Sequence, residues 1–318
     1  GIRSKIMKTN EIYVGNNVDV LKTFEDESVD MCITSPPYYN LRDYKNSGQL
    51  GAEASVDLFV SNLCEVFDEV HRVLKPTGSC WVNIGDTYDK KKLSQVPSRF
   101  EIAMSDRGWY LRNEIIWNKP NPQPISSKDR FWTNHEKIFW FVKKLKGYYF
   151  DRVPTLEPWA EVTVRRMFSN NDLSKHKDTG LEGKEGYSLS SENQDKHYKR
   201  MRESLGITKD FNYQQLIDSG KCPSRPMFTV WDISASGGKV KGAHFAVYPP
   251  ELIKVPILAT CPPEGVVLDP FVGSGTTCVV AKDLNRKYIG IDISEEYAKL
   301  ARDRIPTSLD NFFFDGII

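Results

Sequence analysis

The sequence has no apolar run that approaches the ~18–20 residues a membrane-spanning helix needs, and no secretory signal peptide is apparent in its 318 residues. We therefore expect a cytoplasmic protein with no membrane partner. The length suits one large domain, or one domain that carries a smaller inserted one.

Cysteine is scarce and scattered, with six residues and no C-x-x-C pair. Without that spacing a zinc site is not expected, and a chain of this length needs no disulfide scaffold. Several cysteines lie inside apolar runs, as Cys32 does within Val29–Thr34. We expect buried free thiols and no bound metal.

Net charge is also small, because 43 Lys and Arg residues face 42 Asp and Glu residues. A protein that binds DNA through contacts to many phosphates usually has a larger excess of basic residues than this. Either the positive charge is segregated on one face, or the partner is not nucleic acid. Residues 137–166 favour segregation, with seven basic and three acidic residues, although a solvated helix face explains that stretch equally well.

Strand-like and helical patterns alternate along most of the chain. Apolar residues at helical spacing predict a helix over Val56–Leu74, which Lys75-Pro76-Thr77-Gly78 should end. The other predicted helices are Val18–Phe24, Val96–Arg107, Glu251–Ala259, Thr277–Leu284 and Glu295–Arg304. The predicted strands are Glu11–Val14, Val29–Thr34, Ser79–Ile84, Leu111–Trp117, Lys137–Val142, Val266–Asp269 and Tyr288–Ile291. This alternation is typical of a layered α/β fold with a largely parallel sheet.

The alternation fails in the middle of the chain. Residues 151–228 are polar and show no sustained period, so they form either a disordered insert or a small module whose loops carry function. Aromatic residues within this stretch argue against full disorder; they include Trp159, Phe168, Tyr187, Tyr198, Phe211 and Tyr213. We expect residues 7–150 and 229–318 to form the two halves of one domain around this insertion.

The densest functional signal lies between Val266 and Ile293. A buried strand ends at Asp269, a loop with Gly273 and Gly275 follows, and a second strand ends at Asp292, 23 positions after Asp269. Ligands of such sheets bind outside the carboxyl ends of the strands. The glycines allow backbone to approach a ligand, and Asp292 can accept hydrogen bonds from ribose hydroxyls.

Two nucleoside cofactors suit that arrangement. A dinucleotide requires G-x-G-x-x-G, but Cys278 occupies the third glycine position. S-adenosylmethionine has no phosphate and needs an acceptor for its ammonium group, which Asp269 can provide. The residues fit S-adenosylmethionine better, and a plain glycine turn in an unrelated βαβ unit is the alternative.

A second candidate site is Ser35-Pro36-Pro37-Tyr38, directly after a predicted strand. Two prolines can simply end a strand. The same residues also suit methylation of a nucleobase amine, whose lone pair is delocalised until acceptors hold its hydrogens. The Ser35 hydroxyl and the Pro36 carbonyl can be those acceptors, and the ring of Tyr38 can stack on an extruded base.

In their order along the chain, these motifs resemble the β-class DNA amino-methyltransferases that modify N4 of cytosine or N6 of adenine. The similar blocks are Thr34–Tyr38, Ile115–Asn121 with Asn134–Glu136, His244–Leu252, Leu268–Thr277 and Gly290–Ser294. The resemblance implies a Rossmann-like S-adenosylmethionine-dependent methyltransferase fold with a seven-stranded mixed sheet and circularly permuted motif order. It also implies base flipping and a target-recognition region over residues 151–228.

The resemblance implies site residues as well, with Ser35, Pro36, Pro37 and Tyr38 catalytic. The expected cofactor-binding residues are Asp269, Pro270, Phe271, Gly273, Ser274, Gly275, Thr276, Thr277, Asp292, Ile293, Phe245 and Asn16. The expected DNA-binding residues are Asn118, Lys119, Arg130, Arg165 and Arg166. Gly15-Asn16 departs from the family's common Gly-Asp, whose carboxylate contacts the cofactor adenine, and Asn16 can form a hydrogen bond at the same place.

Ser35 is similar to the residue that marks N4-cytosine enzymes, whereas adenine enzymes more often carry Asp or Asn there. We therefore expect N4 methylation of a flipped cytosine in double-stranded DNA, with N6-adenine methylation as the alternative. A nicotinamide-dependent oxidoreductase and a non-catalytic DNA-binding protein are two further hypotheses. The expected partners are nucleoid DNA of a bacterium or archaeon and a cognate restriction endonuclease, with the chain acting as a monomer or homodimer.

Overall fold

The computed structural model describes residues 7–40, 50–122, 124–168, 199–200, 203–206, 211–235 and 248–305. The chain forms two compact units, one of Gly1–Pro154 with Phe228–Ile318 and the other of Thr155–Met227. The second unit is four residues shorter at its start than the insertion predicted from the sequence. Asp151 belongs to the first unit, where its amide donates to the carbonyl of Ala259 at 2.7 Å.

The strands, numbered in chain order, are β1 (Glu11–Val14), β2 (Val29–Thr34), β3 (Leu74–Ile84), β4 (Tyr88–Asp89), β5 (Lys92–Leu93), β6 (Tyr110–Asn118), β7 (His135–Val142), β8 (Leu156–Pro158), β9 (Ser224–Pro226), β10 (Val230–Asp232), β11 (Val266–Asp269) and β12 (Lys287–Asp292). The helices are α1 (Asn17–Leu21), α2 (Val56–Val73), α3 (Val96–Asp106), α4 (Glu161–Phe168), α5 (Tyr213–Asp218), α6 (Pro250–Thr260), α7 (Thr276–Asp283) and α8 (Glu295–Arg304). The predicted helices and strands of the first unit are all present in the structure.

A mixed sheet of eight strands organises the first unit, in the order β1-β12-β11-β2-β3-β7-β6-β10. Strands β1, β12, β11, β2 and β3 are parallel, and β7 runs antiparallel to both of its neighbours. The expected number of seven strands is wrong by one. Three residues, Val230–Asp232, pair in parallel with β6 and extend the sheet at that edge, and so short a strand has no recognisable alternation in sequence.

Helix α2 follows from its sequence. The hydroxyl of Ser55 caps its first turn by accepting from the Leu58 amide at 3.2 Å, and its apolar residues recur on the buried face. The helix ends at Val73, and strand β3 begins immediately at Leu74. The expected break at residues 75–78 is instead an irregularity in the pairing of β3 with β2.

The core lies on both faces of the sheet. On one face, α2 and α3 bury aromatic and aliphatic side chains against β2, β3 and β7; on the other, α7 and α8 pack with β1 and β12. Trp109, Trp117 and Trp140 are buried and belong to the core. All six cysteines are free thiols; five are buried and Cys222 is half-buried.

Two of the basic residues of 137–166 lie far apart within the first unit. Lys137 lies near the start of β7 and pairs with Glu114 at 2.9 Å. Lys143, which follows the end of β7, donates to the Leu74 carbonyl at 2.6 Å. Six residues of strand separate these two lysines, so they lie roughly 20 Å apart at the rise of a β-strand. This pair therefore does not share one positive patch.

The second unit, in the part described, has a small core of its own. Strands β8 and β9 pair in antiparallel fashion. Val164 and Leu216 are buried between α4 and α5, with Trp159 and Phe211 packed around them. This packing agrees with a folded module rather than a disordered insert for the described residues.

Within the described ranges, no helix combines the length and the apolarity that crossing a membrane would require.

The aromatic cluster beneath α3 offers a test of this core. Phe100 is fully buried, and its ring centroid lies 5.4 Å from that of Phe67 and 6.4 Å from that of Phe139. Phe100→Ala should lower the free energy of unfolding by about 3–5 kcal/mol, because it leaves a cavity that the sheet cannot fill. Ile102→Ala, on the exposed side of the same helix, should change it by less than about 0.5 kcal/mol. Chemical denaturation of both variants measures the difference; equal effects would contradict this assignment of the core.

Candidate active site

The predicted catalytic loop and the predicted cofactor loop lie at one edge of the sheet. Since β1, β12, β11 and β2 are parallel neighbours, their carboxyl ends meet there, as in other open α/β sheets. The two predicted sites touch at the end of β2 and β11, where the Thr34 hydroxyl donates to Oδ1 of Asp269 at 2.6 Å. Residues 235 positions apart are thereby brought into contact.

Asp269 is a buried carboxylate surrounded by donors. Besides Thr34, its Oδ1 accepts from the Phe271 amide at 3.0 Å, and its Oδ2 accepts from the Thr277 hydroxyl at 2.5 Å. Burial raises the pKa of Asp269 to about 6, although these hydrogen bonds act in the opposite direction. The cost of ionising this group in a protein interior would fall if a cation lay beside it.

The two glycines of the loop have different roles. Gly273 has a positive φ of 50°, and a Cβ there would meet only the Phe271 carbonyl oxygen, at 4.0 Å. It therefore leaves open space of the kind a ligand can enter. Gly275 has a φ of 86°, and a Cβ there would lie 2.8 Å from the Cβ of Ala301. A residue without a Cβ is needed at this position because the loop packs closely on α8.

Asp292 and Asn16 hold the neighbouring backbone. Oδ2 of Asp292 accepts from the Gly273 amide at 3.0 Å and Oδ1 accepts from the Ser294 amide at 2.8 Å. Burial raises the pKa of Asp292. Asn16 is exposed and caps α1 by accepting from the Val18 amide at 3.0 Å. Its side chain thus has a structural role in addition to the cofactor contact expected of it.

The remaining predicted cofactor residues surround the same loop. Ser274 is buried and held by Arg304 at 2.6 Å, and Oγ1 of Thr276 is buried without a hydrogen-bond partner among the described residues. Phe271 packs against the core and Ile293 is half-buried. The carbonyl of Pro270 accepts a hydrogen bond from the side-chain amide of Asn17. Phe245 lies outside the described residues.

The predicted catalytic loop, Ser35 to Tyr38, faces the ends of β3 and β7. Pro36 is buried, and Ser35, Pro37 and Tyr38 are half-buried. The Tyr38 hydroxyl donates to Oε2 of Glu136 at 2.5 Å. Burial, and next the charge of Glu136, raise the pKa of Tyr38 well above its ordinary value, so this hydroxyl stays protonated.

Asn83 links Ser35 to that pair. Its Nδ2 lies 3.4 Å from the Ser35 hydroxyl oxygen, 3.2 Å from the Tyr38 hydroxyl and 2.9 Å from Oε2 of Glu136. Its Oδ1 is buried and accepts no hydrogen bond from any described residue. An unpaired acceptor beside a predicted catalytic loop is a candidate contact for substrate.

Sequence reasoning did not single out Asn17, Asn83 or Tyr248. Tyr248 lies in the block from His244 to Leu252, and its hydroxyl contacts Thr277 and lies 3.4 Å from Oδ2 of Asp269. Asn83 carried a detectable signal, since it is a polar residue on the apolar strand Ser79–Ile84. Asn17, beside the N-cap, had no such signal.

The predicted DNA-binding residues are held by other contacts. The side-chain amide of Asn118 donates through Nδ2 to Asp232 at 2.6 Å and accepts through Oδ1 from the side-chain amide of Asn134 at 2.7 Å. Lys119 pairs with Glu136 and lies 4.4 Å from the ring centre of Trp117. The guanidinium of Arg130 stacks 3.6 Å from the ring centre of Tyr88.

The other two predicted DNA-binding residues belong to the second unit. Arg165 pairs with Glu161 at 2.5 Å on α4. The side chain of Arg166 lies outside the described residues.

Comparison with known proteins agrees with this geometry. The model of a family described as DNA methylase, whose members act as N6 or N4 methyltransferases, matches residues 29–303. The chain belongs to this family. It is a DNA methyltransferase, its substrate is DNA and its methyl donor is S-adenosyl-L-methionine.

Individual relatives cover nearly the whole chain. The Type II methyltransferase M.SmaI of Serratia marcescens is 34% identical over 94% of this chain and 91% of its own. Among solved structures, the cytosine-N4-specific PvuII DNA methyltransferase has a TM-score of 0.62 and 21% identity over 98% of this chain and 89% of its own. A Thermus thermophilus protein solved with S-adenosyl-L-methionine has a TM-score of 0.54 and 21% identity over 93% of this chain and 96% of its own. These two structures share the fold.

The residues present fit S-adenosyl-L-methionine. Asp269 offers a buried carboxylate to its ammonium group, Gly273 leaves open space beside the loop, and Asp292 lies at the end of the adjacent strand where ribose hydroxyls can donate to it. The hydroxyl of Thr276, buried and without a partner among the described residues, is a further polar group in this part of the site.

Cofactor affinity should depend on pH through Asp269. The carboxyl must be ionised to accept from an ammonium group, and its pKa is about 6. The affinity for S-adenosyl-L-methionine should therefore be about tenfold lower at pH 5 than at pH 7, where most of the carboxyl is ionised. Isothermal titration calorimetry between pH 5 and 8 measures the curve.

Asp269→Asn should weaken binding and remove most of that slope. Asp303→Asn, which removes an exposed carboxylate on α8, should retain the wild-type curve. A slope unchanged by Asp269→Asn would show that the ammonium contact is wrongly assigned.

Proposed function

We propose that the chain transfers a methyl group from S-adenosyl-L-methionine to the exocyclic N4 amine of a flipped cytosine in double-stranded DNA. The observation that carries this proposal is the 2.6 Å hydrogen bond from Thr34 to Asp269. It joins the residue before Ser35 to the carboxylate expected to hold the cofactor, so the acceptor loop and the methyl donor share one edge of the sheet.

The loop supplies two acceptors for the amine. When bound, S-adenosyl-L-methionine supplies a methyl carbon made electrophilic by its sulfonium charge. The Ser35 hydroxyl oxygen and the Pro36 carbonyl hold the two hydrogens of the amine, which turns its lone pair away from the ring and toward that carbon. The amine nitrogen would form its bond to the methyl carbon as the C–S bond breaks, with S-adenosyl-L-homocysteine as the leaving group. The positively charged nitrogen would then pass one of these hydrogens, as a proton, to water. Positioning therefore does most of the catalytic work.

Hydrogen bonds around the loop support this role. Asn83 and Glu136 fix the Tyr38 hydroxyl, and Asn83 also reaches Ser35. A ring fixed at its hydroxyl end presents a defined surface for stacking on a base. The unpartnered Oδ1 of Asn83 offers a further acceptor to the amine.

Cytosine is favoured over adenine by the residue at the start of the tetrapeptide. Ser35 resembles the N4-cytosine type, and the PvuII enzyme, whose name states this specificity, shares the fold. N6 methylation of adenine is the second candidate, because both bases present an amine of the same chemistry to the same acceptors. A nicotinamide-dependent oxidoreductase and a non-catalytic protein have no support in the family comparison.

We further propose that residues 155–227 read the DNA sequence and that the enzyme protects DNA from a cognate restriction endonuclease. The unit has its own small core, and the similar relatives are Type II methyltransferases. Such an enzyme would act in the cytoplasm on nucleoid DNA.

Nucleoside mass spectrometry tests the target base. DNA from cells that express the chain should contain N4-methylcytosine, and DNA from cells without it should not. N6-methyladenine in its place would establish the second candidate. Methylome sequencing of the same DNA would give the recognition sequence.

Ser35→Ala should lower the turnover number about 10²- to 10³-fold, as loss of one preorganised hydrogen-bonding group does in other enzymes. The affinity for S-adenosyl-L-methionine should change less than twofold, since the Asp269 contacts remain. Ser105→Ala, which removes a hydroxyl on the exposed side of α3, is the control and should behave as wild type. Single-turnover methyl transfer to duplex DNA measures the step, and wild-type turnover in Ser35→Ala would refute the acceptor role.

A further inference from the structure

The loop between β6 and β7 carries a fully exposed aromatic side chain. Phe131 is 97% exposed, the largest value for any large apolar side chain among the described residues, and its neighbour Trp132 is 53% exposed. Water contact with so much apolar surface is unfavourable. Such a side chain on an ordered loop at a functional edge suggests an apolar partner in the working complex.

Hydrogen bonds, an ion pair and a stacking contact fix the loop residues next to Phe131. The indole N–H of Trp132 donates to the Ser127 carbonyl at 2.9 Å, and the Ser127 hydroxyl donates to Asp129 at 3.0 Å. Lys91 pairs with Asp129 at 2.9 Å, and Arg130 stacks on Tyr88. Asp129 and Arg130 are thus held to the β4–β5 hairpin and Trp132 to Ser127 of the loop itself, while the Phe131 ring is left in solvent.

The base of this loop belongs to the catalytic network. The Lys119 amide donates to the Asn134 carbonyl at 2.8 Å, which closes the loop. Lys119 and Tyr38 both bind Glu136. Phe131 precedes Glu136 by five residues, so their Cα atoms lie no more than about 17 Å apart, the span of five extended residues. Phe131 is therefore within reach of DNA whose base occupies the site.

Charge around the ring suits the DNA backbone. Lys90, Lys91 and Lys92 on the hairpin are exposed, as is Lys128 in the loop. An exposed aromatic ring on a loop with an exposed lysine, next to a hairpin with three more, matches a duplex, which presents stacked bases between two phosphate strands.

We propose that Phe131 inserts into the DNA helix and fills the gap left by the extruded base. This inference rests on the proposed function, in which a base leaves the duplex. Extrusion costs the stacking and pairing of that base, and an inserted aromatic ring restores stacking to the neighbouring bases and hinders the return of the flipped base.

Two duplexes test the insertion. Both contain the recognition sequence found by methylome sequencing; in one the target base is paired, and in the other it faces an abasic position and opens at low cost. Phe131→Ala should lower kcat/KM about 10- to 100-fold on the paired duplex and less than threefold on the abasic one. Phe131→Trp should retain activity on both.

Leu145→Ala is the matched control, because it removes an exposed apolar side chain beyond the end of β7, at the opposite edge of the sheet. It should match wild type on both duplexes. Cofactor affinity and thermal unfolding should be the same in all variants. Wild-type activity of Phe131→Ala on the paired duplex, or equal losses on both duplexes, would overturn the insertion. Absence of methyl transfer by the wild-type enzyme itself would instead refute the proposed function.

Discussion

The buried carboxylate of Asp269 connects the parts of this enzyme that must act together. It accepts from Thr34 at the start of the catalytic loop, from Thr277 at the start of α7 and from the backbone of the glycine loop. Each donor offsets part of the cost of burying a charge. Because the remaining cost still raises the pKa of Asp269, the site favours a cationic ligand, and S-adenosyl-L-methionine provides one.

A second carboxylate organises the DNA side of the site. Glu136 accepts from Tyr38, Asn83 and Lys119, which lie on three separate segments of the first unit. These contacts fix the catalytic loop relative to the loop that carries Phe131. Removal of this one side chain would leave three donors without their acceptor, so its effect on the site should be far larger than that of a surface ion pair.

Much of the fold could be predicted because its signals are local. The helical spacing of Phe59, Leu63 and Phe67 and the strand endings at Asp269 and Asp292 are visible in sequence. The rule that parallel strands collect ligands at their carboxyl ends places the two motifs together. The Asn83–Glu136 contact depends on the register of two antiparallel strands, which apolar runs do not specify. The eighth strand and the core of residues 155–227 likewise arise from tertiary packing around short, polar segments.

The sheet order has a consequence for synthesis of the chain. Strand β2, which leads into the catalytic loop, lies between β3 and β11, but Asp269 at the end of β11 is 235 residues later in sequence than Thr34. At ~5–20 residues per second, a ribosome needs roughly 12–47 s to cover that distance. Through that interval β2 has a partner on one side only and presents an unpaired edge of apolar residues, the kind of surface that other chains can join. The motif order that brings the catalytic loop early thus exposes the nascent chain to aggregation until its last strands are made.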